Sequence, residues 1–451
     1  MTSVADPSVA AADMEQLFVA AQAPLAFHRR RLRFDLARTV FSSAGIDAGS
    51  MLLLRYLQDL PLAGGERVLD IGCGHGTLGL VLQALDDDRR IVSVDRDALA
   101  LRYTRRNLAL NELDPDAHLV GGSLGFDDVD RLQVDGGPAG GDDPEPFDLI
   151  VSNIPGKAGE PFIADVLAEA TRRAHEGTVI GVVVVKPLGP FVAATIQRLG
   201  LEVLTAKGNK QYDVTIAIPP AGHAPAGHPE AAPPSGSAAS NGASAGRPGG
   251  FERGVYDRLR RSFTSGTLAW TANTVTGLTE FDSLAHSTKM LRTALQGVPA
   301  GPSIVIEPGQ GHRAVVAALA GYPPAVVLSR DLLALRATER MLQANGTDRP
   351  ALVHDITVEA ATAALSGPAP VVLLNAPDKV HGPWYVEQVK RTLAGFAAAG
   401  LDRPADLVLT GRAGLLGRLE VDVLKRQRGH VAHKRSERGF RVVRFRVPPA
   451  L

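Results

Sequence analysis

The chain has 451 residues, 45% of them hydrophobic and 21% charged, with 48 acidic and 48 basic side chains. That length implies two or three domains, each able to bury a core, and no apolar run reaches the roughly 20 residues that a membrane span needs. The start, MTSVADPSVAAADMEQ, has no basic stretch leading into an apolar one, so a secretory leader is not expected. Cys73, the single cysteine, has no internal disulfide partner, which fits a reducing, cytoplasmic setting.

Early in the chain HRRRLRF, from His28, mixes arginine with aromatic residues. Such a stretch would attract phosphates, and an arginine-bearing strand with a solvated face accounts for it equally. Short apolar runs then alternate with amphipathic stretches, the pattern of a parallel sheet wrapped by helices. The runs are RVLDI from Arg67, RIVSVD from Arg90, AHLVG from Ala117, FDLIVS from Phe147 and TVIGVVVVK from Thr178, with two more after Leu201 and Gln211. Gly136 to Pro146 reads as an inserted loop. Pro219 to Gly250 is Ala/Pro/Gly/Ser-rich with almost no large apolar residue, so it is expected to be a flexible tether. Removing everything beyond it is expected to leave ligand binding in the first half intact. After it the order repeats as SIVIE, AVVLS, ALVHD, VVLLN and DLVLT, ending in FRVVRFRV.

The repeat extends to motifs. SNIPGKAGEPF from Ser152 aligns with LNAPDKVHGPW from Leu374, so Asn153, Pro155 and Lys157 stand opposite Asn375, Pro377 and Lys379. DIGCGHG aligns with EPGQGHR, which sets Glu307, Gly309 and Gly311 opposite Asp70, Gly72 and Gly74. Two matches in the same order imply duplication.

In VLDIGCGHG a strand ends at Asp70 and the chain turns into a helix. Gly72, Gly74 and Gly76 remove side chains that would keep a ligand from the turn. Dinucleotide folds use such a turn too, but two acids point to S-adenosylmethionine (SAM). Asp70 precedes the glycines, where it can meet the ligand's ammonium group, and Asp95 ends the next strand, where a carboxylate can accept both ribose hydroxyls. Cys73 reads as a small packed residue. After the third strand, GGSLGFDD offers Ser123 where an adenine-contacting acid is common, with Asp127 or Asp128 as substitutes.

Asn-x-Pro after the fourth strand resembles the Asn-Pro-Pro-aromatic signature of methyltransferases that modify an amine on a planar group. Together with TVFSSAGIDAGSMLLLRYL from Thr39, a Phe-Ser…Asp-x-Gly-Ser…Leu-Leu segment, it makes Phe34 to Ile218 similar to the "methyltransferase small" family, which includes rRNA guanine-N2 methyltransferases. The resemblance implies an α/β fold of two tandem Rossmann-like class I methyltransferase domains, each with a mostly parallel seven-stranded sheet, joined by a flexible linker. Residues 1–218 would be the catalytic SAM-dependent domain, 219–250 the linker and 251–451 a degenerate copy that binds substrate. It further implies SAM held by Asp70, Gly72, Gly74, Gly76, Asp95, Ser123 and Asn153. Asn153, Pro155 and Lys157 would sit at the acceptor, with the Asn oxygen aligning an amine for attack. Ile154 replaces the first proline, Gly156 intrudes, and Lys157 stands where the aromatic is expected, able to pair with phosphate or carboxylate.

In the second half Pro308, Gln310 and His312 crowd the turn and Ser329 replaces the ribose carboxylate, so no second SAM site is expected. Residues 1–218 hold 30 acidic and 21 basic residues against 17 and 26 in 251–451, a net −9 against +9. Much of the positive excess lies from Lys425 to Arg446. A basic degenerate half suits RNA, ribosomal above all, as the partner. A small-molecule or protein acceptor, with the second half as lid or dimerisation module, is the alternative. The histidines lack metal-ligand spacing, so no metal is expected.

Overall fold

The computed structural model describes residues 7–136, 146–224, 247–280, 282–365, 371–376, 381–398 and 404–449. Most of the inserted loop, the middle of the tether, and Pro377 and Lys379 lie outside them. A hairpin of β1 (Val19–Phe27) and β2 (Arg30–Ala37) comes first, then the helix Ala48–Leu57. The seven strands of the first sheet follow: β3 (Arg67–Ile71), β4 (Arg90–Asp95), β5 (His118–Gly122), β6 (Leu149–Asn153), β7 (Val179–Val185), β8 (Glu202–Gly208) and β9 (Tyr212–Ile218). Their spatial order is β5-β4-β3-β6-β7-β9-β8, parallel except for β9, which runs against both neighbours. Central strands of such a sheet are covered on both faces, which is why they read as unbroken apolar runs. Gly181 in β7 marks where the helix Ala48–Leu57 lies closest, since a Cβ there would stand 3.2 Å from Leu53 and 3.3 Å from Leu57.

The second half repeats this plan. A hairpin of β10 (Asp257–Ser265) and β11 (Leu268–Val275) and the helix His286–Ala294 precede β12 (Ser303–Ile306), β13 (Pro324–Ser329), β14 (Ala351–His354), β15 (Val371–Asn375), β16 (Ala405–Arg412), β17 (His430–Glu437) and β18 (Phe440–Val447). The sheet order, β14-β13-β12-β15-β16-β18-β17, is the first sheet's order again. The hairpins are fastened alike. Asn111, after the helix Ala98–Leu110, pairs with both backbone groups of Arg33, and Asn345, after the helix Leu332–Ala344, does so with Thr271.

The pairing corrects the alignment of the glycine turns. Ile71 faces Val94 and Ser152, while Ile306 faces Leu328 and Leu374. Gly72 N–H then donates to Val94 at 2.8 Å, as Glu307 N–H does to Leu328 at 2.9 Å. Glu307 therefore corresponds to Gly72, and Val305 occupies the place of Asp70. Shared glycines outweigh strand register in a match of the two sequences alone, and here they shift the match by two residues.

The halves are also more tightly joined than a tether implies. Met14 and Phe18, on the first helix (Pro7–Phe18), are buried in one cluster with Trp384 and Tyr385 of the second half. The loops after β4 and β13 meet in an isolated bridge between Asp97 and Asp331. Across it Ala98 N–H donates to Arg330 at 2.8 Å, and Leu332 N–H donates to Arg96 at 2.9 Å. The Arg330 guanidinium binds both Asp97 carboxylate oxygens, and Arg96 Nη2 lies 3.3 Å from Asp331.

Candidate active site

A cavity of about 380 Å³ opens at the carboxyl ends of β3, β4 and β6, where open α/β sheets hold ligands. Asp70, Gly72, Gly74, Asp95, Ser123, Asn153, Pro155 and Lys157 all line it. Gly76 does not. It starts the helix Thr77–Leu85 with φ 83°, and a Cβ there would come within 2.5 Å of Leu80, so it serves packing. Gly72 and Gly74 also have positive φ, 75° and 58°, but a Cβ on either would meet no atom within 4 Å. They leave the backbone bare beside the cavity.

Asp70 is almost fully buried. Its Oδ2 accepts from Gly79 N–H at 3.0 Å, while Oδ1 is buried without a partner among the described residues. Burial, with Asp95 nearby, pushes its pKa to about 7. Asp95 accepts from Gly74 N–H at 3.0 Å and Asp97 N–H at 2.9 Å, and burial and Asp97 raise it to about 6. An orphaned carboxylate oxygen, a second carboxylate and a bare glycine turn fit a cofactor that carries an ammonium group and ribose hydroxyls. Cys73 is packed in the turn, its thiol pushed up by burial. His75, lowered to about 4 by burial, uses Nε2 to accept Ala37 N–H at 2.8 Å, which fastens the hairpin.

At the end of β6 the cavity is built around Asn153. Its Nδ2 donates to Asp47 Oδ2 at 2.6 Å and to Ser50 Oγ at 2.9 Å. Asp47 is itself held as the N-cap of the helix Ala48–Leu57, accepting Ser50 N–H at 2.8 Å. Both amide hydrogens of Asn153 are thus engaged and its carbonyl oxygen is left for a donor. The departures from Asn-Pro-Pro have local causes. Ile154 is buried, and its N–H donates to Val183 at 3.0 Å, a bond that proline cannot make. Pro155 to Ala158 form a turn closed by a 2.9 Å bond, which leaves Lys157 exposed on the cavity wall.

Ser123 lines the cavity, but its hydroxyl donates to Gly125 and accepts from Asp128 N–H, both at 3.0 Å, so it serves its own loop. Asp127 and Asp128 do not line the cavity. Asp127 accepts Phe251 N–H at 3.0 Å and Asp128 pairs with Arg336 at 3.0 Å, so both acids bind the second half. Sequence reading also missed Tyr256, Thr276 and Gly277, which wall the cavity from the second half. The signal was available in the repeat, because these residues flank the second hairpin as Phe18, Arg38 and Thr39 flank the first. Within the second half, Glu307 fills the corresponding place: its Oε1 accepts Arg330 N–H at 3.1 Å and its Oε2 accepts Ser329 Oγ at 3.2 Å. Gln310 is spent on both backbone groups of Val275, and His312 accepts from Trp270 at 3.1 Å. Among the described residues no group of three or more His, Cys, Asp or Glu could hold a metal, and no helix is long and apolar enough to cross a membrane.

The strand order and the acid-flanked glycine turn define a class I methyltransferase fold. Residues 31–216 match the family model of the methyltransferase small domain. The ribosomal RNA small subunit methyltransferase C of Actinobacillus pleuropneumoniae serotype 7 is 32% identical over 175 residues, 38% of this chain and 47% of that protein. Its counterpart in Pseudomonas aeruginosa is 47% identical over 75 residues, 17% of this chain and 22% of that protein. The chain thus spans about half the length, or less, of these relatives. A solved structure, the 16S rRNA N2 G1207 methyltransferase of T. Thermophilus with AdoMet and guanosine, covers 96% of this chain and 99% of its own, with a TM-score of 0.58 and 18% identity. That likeness shows the fold across both halves.

Proposed function

We propose that the chain is a SAM-dependent N-methyltransferase that acts on an exocyclic base amine of ribosomal RNA. The observation that carries this reading is the clamp of Asp47 and Ser50 on Asn153. With both amide hydrogens engaged, the side-chain oxygen can only accept, which suits an N–H of an acceptor amine. SAM supplies an electrophilic methyl group. Asp70 Oδ1 would receive its ammonium, Asp95 its ribose hydroxyls, and Gly72 and Gly74 would admit its backbone-facing edge. Asn153 would hold the amine hydrogen and so aim the nitrogen lone pair, a contribution of positioning. Residues 1–218 are the catalytic part and 219–250 the linker. Residues 251–451 wall the cavity, hold RNA and carry no cofactor, since Glu307 occupies the equivalent cradle and Val305 replaces its acid. The relatives named as ribosomal RNA methyltransferases support this acceptor class.

Lys157 favours a second reading, a small-molecule or protein acceptor bearing an anion, because a lysine stands on the cavity wall where the Asn-Pro-Pro-aromatic resemblance leads one to expect a ring. Labelled SAM offered with ribosomal RNA, ribosomal subunits and a small-molecule extract in parallel decides between them. Label in RNA is the expected result. Label confined to the small-molecule or protein fraction overturns the RNA reading.

A further inference from the structure

Three six-membered aromatic rings line the cavity: Phe41, Phe162 and Tyr256. Phe162 and Tyr256 pack on each other with centroids 5.8 Å apart, and Tyr256 is 6% exposed. Phe41 is 58% exposed. A single exposed phenylalanine is ordinary; its location and the backbone beneath it are what distinguish this one. Thr39 and Ser42, on either side, have φ of 73° and 62°, and positive φ at a β-branched residue is a genuine outlier. The second half makes the same turn with Gly277 at φ 86°, where no side chain is strained. Arg96 donates to the Gly277 carbonyl at 3.3 Å, and in return Arg330 reaches the Thr39 hydroxyl at 2.7 Å and its carbonyl at 3.5 Å. The threonine keeps a costly conformation in exchange for a hydroxyl that the second half can grip. Ser42 Oγ closes the far side on Gly45 at 2.9 Å. Strain held in place by surrounding bonds is characteristic of functional positions.

We infer that Phe41 supplies the aromatic face on which the acceptor base stacks, and that Arg330 of the second half holds the turn that presents it. This rests on the nucleobase reading above. It accounts for the absence of a ring at Lys157, since another residue of the cavity lining supplies the ring and leaves the lysine for a phosphate. It also gives the worn site loop of the second half a task, because Arg330 follows Ser329 where a ribose-binding loop would lie. Stacking on a single ring is sequence-tolerant and depends on the π-face rather than on apolarity alone.

The test uses the full-length protein with SAM, total ribosomal RNA, guanosine and 2-aminopurine riboside, whose fluorescence is quenched by stacking. Phe41→Ala and Phe41→Leu are each expected to raise the acceptor KM roughly 10- to 100-fold and to abolish the quenching. SAM affinity should stay within about twofold of wild type, because the cofactor's carboxylates are elsewhere, and Phe41→Trp should retain both binding and quenching. Wild-type behaviour of Phe41→Leu would show that any apolar side chain suffices, and unchanged KM and quenching in Phe41→Ala would remove Phe41 from the site; either result overturns the inference and leaves the nucleobase reading standing. Failure of the wild-type protein to bind or methylate any of the three acceptors overturns the nucleobase reading, and this inference with it.

Discussion

Asp70 and Asp95 carry opposed demands: burial favours their neutral forms, while a cationic ligand needs at least Asp70 ionised. Asp70 is raised to about 7, whereas an unfolded aspartate titrates near 3.9. Between those values the folded chain holds a proton that the unfolded chain has released, so stability from this group is full below about pH 4 and is lost as pH rises through 7. A bound ammonium reverses the preference. The thermal shift produced by SAM is therefore expected to grow from pH 5.5 to pH 8, and Asp70→Asn should flatten that profile, raise the unfolding temperature of the ligand-free protein at pH 8, and weaken SAM roughly 10- to 100-fold. Calorimetry and thermal unfolding across pH check this; an unaltered profile in the variant would assign the pH dependence to another group. At the acceptor end, Asn153→Ala is expected to lower kcat on the order of 100-fold with SAM affinity near wild type, and full activity would dismiss the proposed alignment. Both acids and Asn153 were legible because their positions at strand ends are fixed by the apolar runs before them. The Asp47–Ser50 clamp was visible only as a motif, since nothing in its spacing reveals that it turns back more than 100 residues in sequence to reach Asn153.

In the duplicated strand–turn–helix the turn is kept while the acids of the first copy are replaced. Gly74 and Gly76 have counterparts in Gly309 and Gly311, with φ of 65° and 103°, so the turn persists. Gly72 has become Glu307, which takes φ 55° and directs a buried carboxylate, raised to about 7 by burial, onto the loop after β13. Glu307→Gly should relieve left-handed strain of about 1–2 kcal/mol and remove a buried acid, so it is expected to stabilise the protein at pH 8. It should not create a second SAM site, because Val305 and Ser329 supply no carboxylate. Calorimetry on that variant is expected to give one SAM per chain, and two would contradict the account of how the second half lost its cofactor. The sequence pattern located thirteen of the fourteen strands of the two sheets to within a residue or two; it read the run that holds β17 as a basic stretch, left the first hairpin's β2 open between a phosphate-attracting stretch and an arginine-bearing strand, and did not pick out the second hairpin. In β2 the alternation of exposed Arg31 and Arg33 with buried Leu32 and Phe34 is the signature of a one-sided strand, hidden by the density of arginine.

At the scale of the molecule, a linker rich in small residues suggested two independent bodies, but the described residues form a shared core with a cavity walled from both sides. Cutting after Gly250 would expose Met14 and Phe18 and remove Tyr256, Thr276 and Gly277 from the cavity, so the truncated chain is expected to melt at lower temperature and to bind SAM less tightly than the whole. Undiminished affinity would show that the wall is dispensable. Charge adds a second long-range element. The basic run from Lys425 to Arg446 is partly neutralised within the fold: Lys434 pairs with Glu420 at 2.8 Å and Arg446 with Asp406 at 2.8 Å. Lys425, Arg426 and Arg428 are exposed and precede β17, the far edge of the second sheet. β17 stands five strand spacings from β13, roughly 24 Å, whereas the loop after β13 touches the cavity wall. These cations cannot reach a base in the cavity, but they can reach the phosphates of a long RNA engaged there. Replacing all three with glutamine is therefore expected to leave kcat and KM for guanosine unchanged while weakening ribosomal RNA. For every phosphate that the variant no longer neutralises, the slope of log affinity against log salt should fall by about 1. An RNA affinity and salt slope equal to wild type would remove the far edge from the RNA surface, and a loss of guanosine turnover would mean that the far edge acts on the site through the fold rather than through phosphate.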